Sequence, residues 1–505
     1  MSGSDLLLIS IFLPLLATLL IPMFGKWQNI REAVTLTAAV LLLLTVVSIF
    51  AKFTTGETVA TSSFEVLPGL PLAFEVEPLG MMFALVASVL WIVNSLYSIG
   101  YMRSHDEPRQ TPFYMCFAVA LSSTMGIAFA SNLFTLFLFY EILTLSTYPL
   151  VSHKADEKAI NGGRIYLIML LGTSMLLLLP AIIITAVVAG TLEFASGGIL
   201  AGKVDDTVLA LLLALYAFGI GKAAVMPVHF WLPAAMVAPT PVSALLHAVA
   251  VVKAGVFTVI KIVVYVFGIE NLTKTGASDW LVFVSAFSLI TASIVALTRD
   301  NLKARLAYST VSQLAYVVLG AALASSAAIV GSGMQIVMHA AGKITLFFCA
   351  GAIMVATHKT EISDMVGIGR RMPITMGAFL IGSLSIIGLP PLGGVWSKWW
   401  LGVGAIDAGH EWVVAVLMIS SLLSAAYLLP IVAWGFLMAP PDTKPGARVE
   451  ITEAPLACVV SICITAGLCI MLFFGANWVE SKLATLDFGI QSGTTALIEG
   501  DRHGR

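Results

Sequence analysis

The sequence predicts an all-α polytopic membrane protein with about fourteen transmembrane helices. Of the 505 residues, 59% are hydrophobic and only 11% are charged, whereas soluble globular domains carry about 25% charged residues. The mean hydropathy is +0.98. Apolar windows of about 20 residues, the length that crosses a bilayer as a helix, recur along the whole chain. Composition, hydropathy and window length therefore agree on one fold class.

Fourteen apolar windows define the predicted helices, numbered in chain order. They cover residues 5–24, 33–52, 77–101, 112–130, 132–152, 164–189, 207–228, 241–267, 279–298, 304–323, 326–356, 373–402, 412–437 and 454–477. The first window has no small-residue cleavage site and no basic region before it. We therefore expect it to be a retained helix rather than a signal peptide.

Basic residues are distributed unevenly among the connecting loops. The loops after odd-numbered windows, together with the window ends that adjoin them, hold fifteen lysines and arginines, whereas the loops after even-numbered windows, counted in the same way, and the C-terminal tail hold six. The positive-inside rule then places the odd loops in the cytoplasm and both termini outside. We expect a multi-pass protein of a bacterial or archaeal inner (cytoplasmic) membrane.

The motifs of most enzyme classes are missing from the sequence. There is no phosphate-binding glycine loop, no GxSxG, no metal-spaced cluster and no basic aromatic face for nucleic acid. All five cysteines lie inside apolar windows without a CxxC pair, which favours core thiols over a metal site. A bis-histidine haem would need two facing pairs, and His247 with His339 supplies one at most. We therefore expect no cofactor, no metal and no active site of its own.

Charged side chains inside the windows need a specific explanation, because each costs about 3 kcal/mol at mid-membrane. Glu141 lies near the centre of window 5, in SNLFTLFLFYEILTLSTYPL. One interpretation is a protonated carboxyl that is hydrogen-bonded between helices. The other is a proton-binding site, whose pKa is raised by desolvation and lowered when a movable cation comes near.

Four lysines lie deep in four other windows. A buried lysine that gains and loses an acidic neighbour can take up and release a proton, whereas the alternative for each is a fixed ion pair or a snorkelled end charge. His339 precedes the window-11 lysine by four residues, so both lie on one helix face about 6 Å apart. His247 is a further candidate, and we expect Lys261, near the end of window 8, to snorkel. The four lysines are Lys222, Lys253, Lys343 and Lys398.

Windows 7 and 12 both contain helix breakers next to a lysine. Window 7 has Pro227 after two glycines, and window 12 has Pro390 and Pro391 among three glycines. Open backbone at membrane depth is tolerated only against protein or water, so we expect water to reach the lysine at both breaks. Broken helices at matching positions indicate inverted repeats. The predicted units are 1–110 (helices 1–3), 111–268 (helices 4–8), 269–440 (helices 9–13) and 441–505 (helix 14 and a short tail).

These motifs together resemble a known family. Glu141, KAAVMPVHFWLP around Lys222, APTPVSALLHAVAVVKAG around Lys253, HAAGK around Lys343 and GLPPLGGVWSKW around Lys398 are similar to the antiporter-like subunits of respiratory complex I, Mrp-type Na+/H+ antiporters and membrane-bound hydrogenases. The resemblance covers essentially the whole chain. The tail is too short for the lateral helix of the largest complex I subunit, so the resemblance is to the D-type Mrp subunit or its shorter complex I counterparts. The WSKWW stretch and the overall length favour the D-type Mrp subunit.

The resemblance implies a proton-translocating subunit of a multisubunit monovalent cation/H+ (Na+/H+) antiporter, with other membrane subunits and H+ as partners. Na+ is a candidate co-ion, and the sequence leaves Na+, K+ and H+ alone open. It implies that Glu141 pairs with Lys222 as a switching ion pair, that Lys253 is the central relay and that Lys398 is the outer terminal site. His247, His339 and Lys343 would link them. The chain departs from complex I members at Ala234, where these often have an acid, and from some relatives with glutamate at position 398.

Two alternatives remain open. The chain could be the proton-pumping subunit of a redox complex related to complex I or to a membrane-bound hydrogenase. It could also be a stand-alone transporter of an organic solute, although the sequence offers no obvious substrate-binding residues beyond the charged row. The identity of the neighbouring subunits separates the first alternative from an antiporter.

Overall fold

Helices follow the predicted windows in the computed structural model, which describes residues 1–441 and 449–486. The tail 487–505 lies outside the described residues. So do Lys444 and Arg448, which belong to the basic loop residues counted for the topology prediction. The main helices are α1 (Gly3–Met23), α2 (Gln28–Thr54), α3 (Pro78–Ser104), α4 (Gln110–Ala128), α5 (Leu133–Val151), α6 (Glu157–Ala189), α7 (Asp206–Gly219), α8 (Thr240–Phe267), α9 (Asp279–Leu297), α10 (Leu302–Ala322), α11 (Ser326–Thr357), α12a (Pro373–Ile387), α12b (Gly394–Asp407), α13 (Trp412–Leu437), α14 (Leu456–Phe474) and α15 (Ala476–Leu483).

Eleven of the helices in the described residues are long and apolar enough to cross a membrane. Two shorter apolar helices, α7 and α12a, belong to the windows with helix breakers. The all-α polytopic fold class is thus confirmed. The count of fourteen spans, the inverted relation of the repeats and the unit boundaries stay predictions.

Polar residues at the window edges start several of these helices. A side-chain oxygen of the residue before the helix accepts a hydrogen bond from a backbone N–H of the first turn, which has no partner within the helix. Such caps precede α1, α5, α6, α7, α10 and α11, at Ser2, Asn132, Asp156, Asp205, Asn301 and Ser325.

Both predicted breaks are present. After α7 the chain makes a 3₁₀ turn at Gly221–Ala223 and resumes in the short helices Trp231–Ala234 and Ala235–Val237. Window 12 splits into α12a and α12b around Gly388, which has a φ of +87°. The peptide bonds before Pro227 and Pro391 are cis.

Helices α8 and α11 form the centre of the bundle and are buried along their apolar length. Helix α8 contains π-helical turns at Leu245–Val249 and Val263–Phe267, and the short helix Ile269–Thr275 follows it. The outer helices α1, α2, α13 and α14 bury one side only. The charged residues of windows 8 and 11 therefore lie in the interior of the protein.

Smaller features complete the fold. Residues Phe64–Leu67 (β1) and Leu70–Leu72 (β2) form an antiparallel hairpin before α3, with Phe64 opposite Leu72. Short 3₁₀ and α turns at Ile362–Met365 and Ile368–Arg371 connect α11 to α12a. The expectation that every cysteine is a core thiol is wrong for Cys463, which is exposed on α14.

Candidate functional site

Lys222 lies in the 3₁₀ turn that follows α7 and is fully buried. Its Nζ donates hydrogen bonds to the backbone oxygen of Tyr140 (2.8 Å) and to Thr144 Oγ1 (2.6 Å) on α5, and lies 3.2 Å from the centre of the Tyr140 ring. Neutral oxygens and an aromatic face therefore hold this ammonium group.

The backbone freed by the first break is satisfied by side chains from several directions. The Lys222 N–H donates to the Tyr140 hydroxyl (3.1 Å), Trp231 Nε1 donates to the Gly221 oxygen (2.9 Å), and the Met226 N–H donates to Ser288 Oγ (3.1 Å). Gly255 of α8 packs so closely that a Cβ there would lie 2.3 Å from the backbone of the turn. The expectation that the break admits water to Lys222 is wrong for this structure, since the residue has no exposed surface.

Glu141 is buried on α5, beside Tyr140 and one helical turn before Thr144. Within the described part of the chain, neither carboxylate oxygen has a partner at hydrogen-bond distance and angle, although the Ser174 hydroxyl and Lys222 both interact with the carboxyl. The ion pair with Lys222 that the resemblance implies is therefore not formed here. Lys222 instead contacts Thr144. Thr144 lies on the same face of α5 as Glu141, one turn further along, because the two residues are three apart in the sequence.

Lys253 and His339 join the two central helices. Lys253 Nζ lies 2.6 Å from His339 Nδ1, and both residues are buried. His339 Nε2 has no partner among the described residues. The sequence placed each residue on its helix but did not pair them, because nothing in a single sequence reports how α8 and α11 face each other.

Lys343 follows His339 by one turn on α11 but points to a different set of groups. Its Nζ donates to Ser309 Oγ (2.7 Å) and to the Leu306 oxygen (3.4 Å), both on α10.

His247 lies in the first π turn of α8, with its ring 4.7 Å from that of Phe347. Its two ring nitrogens have no partner among the described residues, so no hydrogen bond links it to the row.

Lys398 lies in α12b and is held by the end of α12a. Its Nζ donates to the backbone oxygens of Ile386 (3.0 Å) and Ile387 (2.8 Å) and to Ser421 Oγ of α13 (2.9 Å). Helix α12a ends there, so its last carbonyls are free and the helix dipole favours a cation. The second break thus provides the acceptors for the lysine.

The structure corrects the prediction for Lys261. This residue is buried on α8 and forms an ion pair of 2.8 Å with Glu77, at the start of α3. Its Nζ also donates to the Ala130 oxygen at 2.5 Å and lies 4.5 Å from the centre of the Phe194 ring. It does not snorkel, because a largely buried carboxylate is within reach. Glu77 is the first residue of window 3, and hydropathy alone does not show that a residue at a window edge is buried in the protein.

Sequence reasoning also missed a cluster of buried amides. Gln335 Nε2 donates to Gln313 Oε1 (2.8 Å), and Ser397 Oγ donates to Gln335 Oε1 (2.5 Å). These residues connect α11, α10 and α12b next to Lys398 and are all buried. The sequence does contain a weak sign of this cluster, namely glutamines inside apolar windows, because a buried amide requires a hydrogen-bond partner.

The charged row that the sequence predicted is thus dispersed over separate hydrogen-bonded groups. Lys222 contacts α5, Lys253 contacts His339, and Lys343 and Lys398 end on hydroxyl and carbonyl oxygens. In the described residues, no group of three or more histidine, cysteine or acidic side chains has a metal-binding arrangement. Amines, one carboxyl and hydroxyls can bind and pass protons.

Comparison with known proteins supplies relatives over most of the chain. It is 33% identical to NADH-quinone oxidoreductase subunit N of Desulforudis audaxviator over 378 residues, which are 74% of each chain. It is 28% identical to hydrogenase-4 component B of Escherichia coli, covering 82% of this chain and 64% of that one. It is 29% identical to the A/B subunit of a probable K(+)/H(+) antiporter of Rhizobium meliloti, of which it spans 40%.

Two solved structures share the fold. A chain of the Mrp complex from Dietzia sp. matches with a TM-score of 0.83 and 21% identity, over 98% of this chain and 99% of that one. A chain of the membrane-bound sulfane sulfur reductase, an archaeal respiratory membrane complex, matches with a TM-score of 0.84 and 22% identity, over 96% and 98%.

The family model described as NADH:quinone oxidoreductase/Mrp antiporter, TM matches residues 130–424. These residues run from the cap of α5 into α13 and contain Glu141, the four lysines, His247 and His339. The match covers more than half of the sequence and agrees with the relatives and the fold. The chain therefore belongs to the NADH:quinone oxidoreductase/Mrp antiporter transmembrane family.

Proposed function

We propose that this chain is the proton-translocating, antiporter-like subunit of a multisubunit monovalent cation/H+ antiporter. The observation that carries the proposal is a row of ionisable groups inside the bundle, in which Glu141, Lys222, Lys253 and Lys343 are buried and Lys398 is half-buried. Charged groups at this depth are costly and are typical of ion and proton pathways. The near full-length match to a chain of the Mrp complex supports this assembly.

The first step of the proposed pathway is a switch at Lys222. Its ammonium group rests on Thr144 and the Tyr140 carbonyl, while the carboxyl of Glu141 on the same helix has no hydrogen-bond partner in the described residues. If the lysine side chain swung from Thr144 to Glu141, which lies one turn earlier on α5, its ammonium group would exchange these neutral acceptors for the carboxylate. Proximity to Glu141 would hold the proton on Lys222, and separation would release it toward Lys253.

The second step is the contact between Lys253 and His339. An amine and an imidazole each have a form that donates a proton and a form that accepts one. At 2.6 Å, one proton can pass between Nζ and Nδ1 without movement of either helix. The Nε2 of His339 offers a second exit for that proton, and Lys343 lies one turn away on the same face.

Replacement of Glu141 by Gln or Lys222 by Ala tests the proposal in everted membrane vesicles that contain the whole complex. We expect ion-gradient-driven H+ transport to fall by about 100-fold, the contribution of a proton-transfer group, with normal assembly. Lys274→Ala is the control, because this exposed residue pairs with Glu270 outside the row. Wild-type transport in Glu141→Gln and Lys222→Ala would refute the proposed pathway.

A second candidate function is that of a proton-pumping subunit in a redox complex. The identity of 33% with a quinone oxidoreductase subunit over 74% of both chains favours it. The subunits that co-purify with the chain distinguish the two. Small multi-span subunits would support the antiporter, whereas iron–sulfur subunits would support the redox complex. We propose in either case a bacterial or archaeal cytoplasmic membrane with both termini outside, as the distribution of basic residues favours.

A further inference from the structure

Helix α13 carries hydroxyl groups on its buried face that the proposed row does not use. Its sequence is apolar except at Ser420, Ser421, Ser424 and Tyr427. Ser420, Ser424 and Tyr427 are fully buried and Ser421 is half-buried, while Leu422, on the opposite side, is 69% exposed. Hydroxyls at membrane depth that are confined to the inner face indicate a function within the bundle.

Hydrogen bonds connect this face of α13 to Lys343. The Tyr427 hydroxyl donates to Ser309 Oγ (2.8 Å), the same oxygen that accepts from Lys343 Nζ (2.7 Å). On its other side, the Tyr427 hydroxyl lies 3.0 Å from Ser424 Oγ. Two hydroxyls of α13 are thereby linked to the lysine of α11 through one serine of α10.

The other end of the same face contacts Lys398. Ser421 Oγ accepts from Lys398 Nζ at 2.9 Å. Ser421 and Ser424 are three residues apart on one helix, with about 5–6 Å between their Cβ atoms. One water molecule spans such a separation with hydrogen bonds of ordinary length. The hydroxyl ladder, defined as Ser309, Tyr427, Ser424 and Ser421, thus reaches from Lys343 to Lys398 with one step, between Ser424 and Ser421, that no direct hydrogen bond of the described residues closes.

A second polar connection near Lys398 is less suited to proton transfer. The cluster of Gln313, Gln335 and Ser397 links α10, α11 and α12b, but an amide donates through nitrogen and accepts through oxygen. A hydroxyl donates and accepts through one atom, so it can receive a proton on one side and release another on the other side. The amides are therefore suited to holding α10, α11 and α12b together, and the hydroxyls to moving protons.

We propose that the hydroxyl ladder carries protons between Lys343 and Lys398. The inference rests on the proposed function and assigns to it a route through α13. Each oxygen takes one proton from its neighbour and gives one to the next, so that the Lys343 ammonium loses one proton and the Lys398 amine gains one, or the reverse. The Tyr427 hydroxyl, which donates to Ser309 here, turns before a proton leaves Lys343.

Paired variants of the intact complex test the ladder. Tyr427→Phe keeps the ring and removes the hydroxyl, Ser424→Ala removes the next hydroxyl, and Ser424→Thr restores one. We expect H+ transport to fall by roughly 100-fold in the first two and to stay near the wild-type rate in Ser424→Thr. Tyr216→Phe is the matched control, since its buried hydroxyl bonds Thr185 at 2.8 Å away from the row.

The outcomes separate this inference from the proposed function. Loss of transport in Ser424→Ala with recovery in Ser424→Thr supports the ladder, even if Tyr427→Phe does not assemble. Wild-type transport in assembled Ser424→Ala, together with loss in Lys398→Ala, refutes the ladder and leaves the proposed row intact. Wild-type transport in Lys398→Ala refutes both. An equal loss in Ser424→Ala and Ser424→Thr would assign a packing role and also overturn the inference.

Discussion

Lys253 Nζ and His339 Nδ1 are 2.6 Å apart and connect the two central helices of the bundle. Both side chains are buried, and each lies on a helix that is enclosed along its apolar length. A contact of this kind has few substitutes, because no other residue is bonded to either side chain through these atoms in the described residues. The two halves of the proposed pathway therefore meet at one hydrogen bond.

Replacement of His339 by Gln should interrupt the pathway at this contact. Glutamine keeps a polar side chain next to Lys253 but cannot take up the proton, so we expect transport to fall by about 100-fold. The measurement is the initial rate of H+ movement in vesicles, corrected for the amount of assembled complex. His410→Gln is the control, because His410 lies at a helix end near Asp279. Normal rates in His339→Gln would mean that protons bypass α11.

The ion pair of Lys261 and Glu77 should contribute to stability rather than to transport. Removal of one partner of a buried pair costs about 3–5 kcal/mol, because the other charge is left uncompensated. Glu77→Gln should destabilise more than Lys261→Met, since Lys261 is the more deeply buried of the two. Thermal unfolding of the purified complex measures this order, and the double variant should recover part of the loss. A transport defect in fully assembled Lys261→Met would instead place Lys261 in the pathway.

His153 should make stability depend on pH. It follows α5 outside the membrane segments, and burial, together with Arg109 and Lys154, lowers its pKa from the ordinary value, an effect that Glu107 and the Pro108 backbone oppose. Because the unfolded chain binds this proton at a higher pH than the folded one, stability is complete above the ordinary pKa of about 6.5 and falls as pH decreases below it. The slope can reach about 1.4 kcal/mol per pH unit.

His153→Gln should remove this contribution. Melting temperatures of wild type and variant, measured between pH 8 and pH 5, should diverge only below about pH 6.5, with the variant less sensitive. Parallel curves over the whole range would show that another group is responsible.

The positions of the charged residues could be predicted from sequence, but their partners could not. Hydropathy and the cost of buried charge single out Glu141 and the lysines, and helix breakers locate the two interruptions. Partners such as Ser309 for Lys343 or Glu77 for Lys261 depend on how separate helices face each other. Helical spacing constrains only one helix at a time, which is why His339 and Lys343 share a face and yet bond different helices.

Lys222 donates a hydrogen bond to Thr144 and not to Glu141 in this structure, and a variant of Thr144 tests whether this contact matters for transport. Thr144→Val keeps the shape of the side chain and removes the oxygen that accepts from Lys222 Nζ at 2.6 Å. A hydrogen bond to a charged group contributes about 1.5–3 kcal/mol, so its loss should shift the lysine toward Glu141 by about 10- to 100-fold. If release of the proton requires the Thr144 position, transport slows by a similar factor. Thr185→Val, which removes a buried hydroxyl bonded to Tyr216, should leave the rate unchanged. A wild-type rate in Thr144→Val would show that Lys222 does not alternate between these two partners.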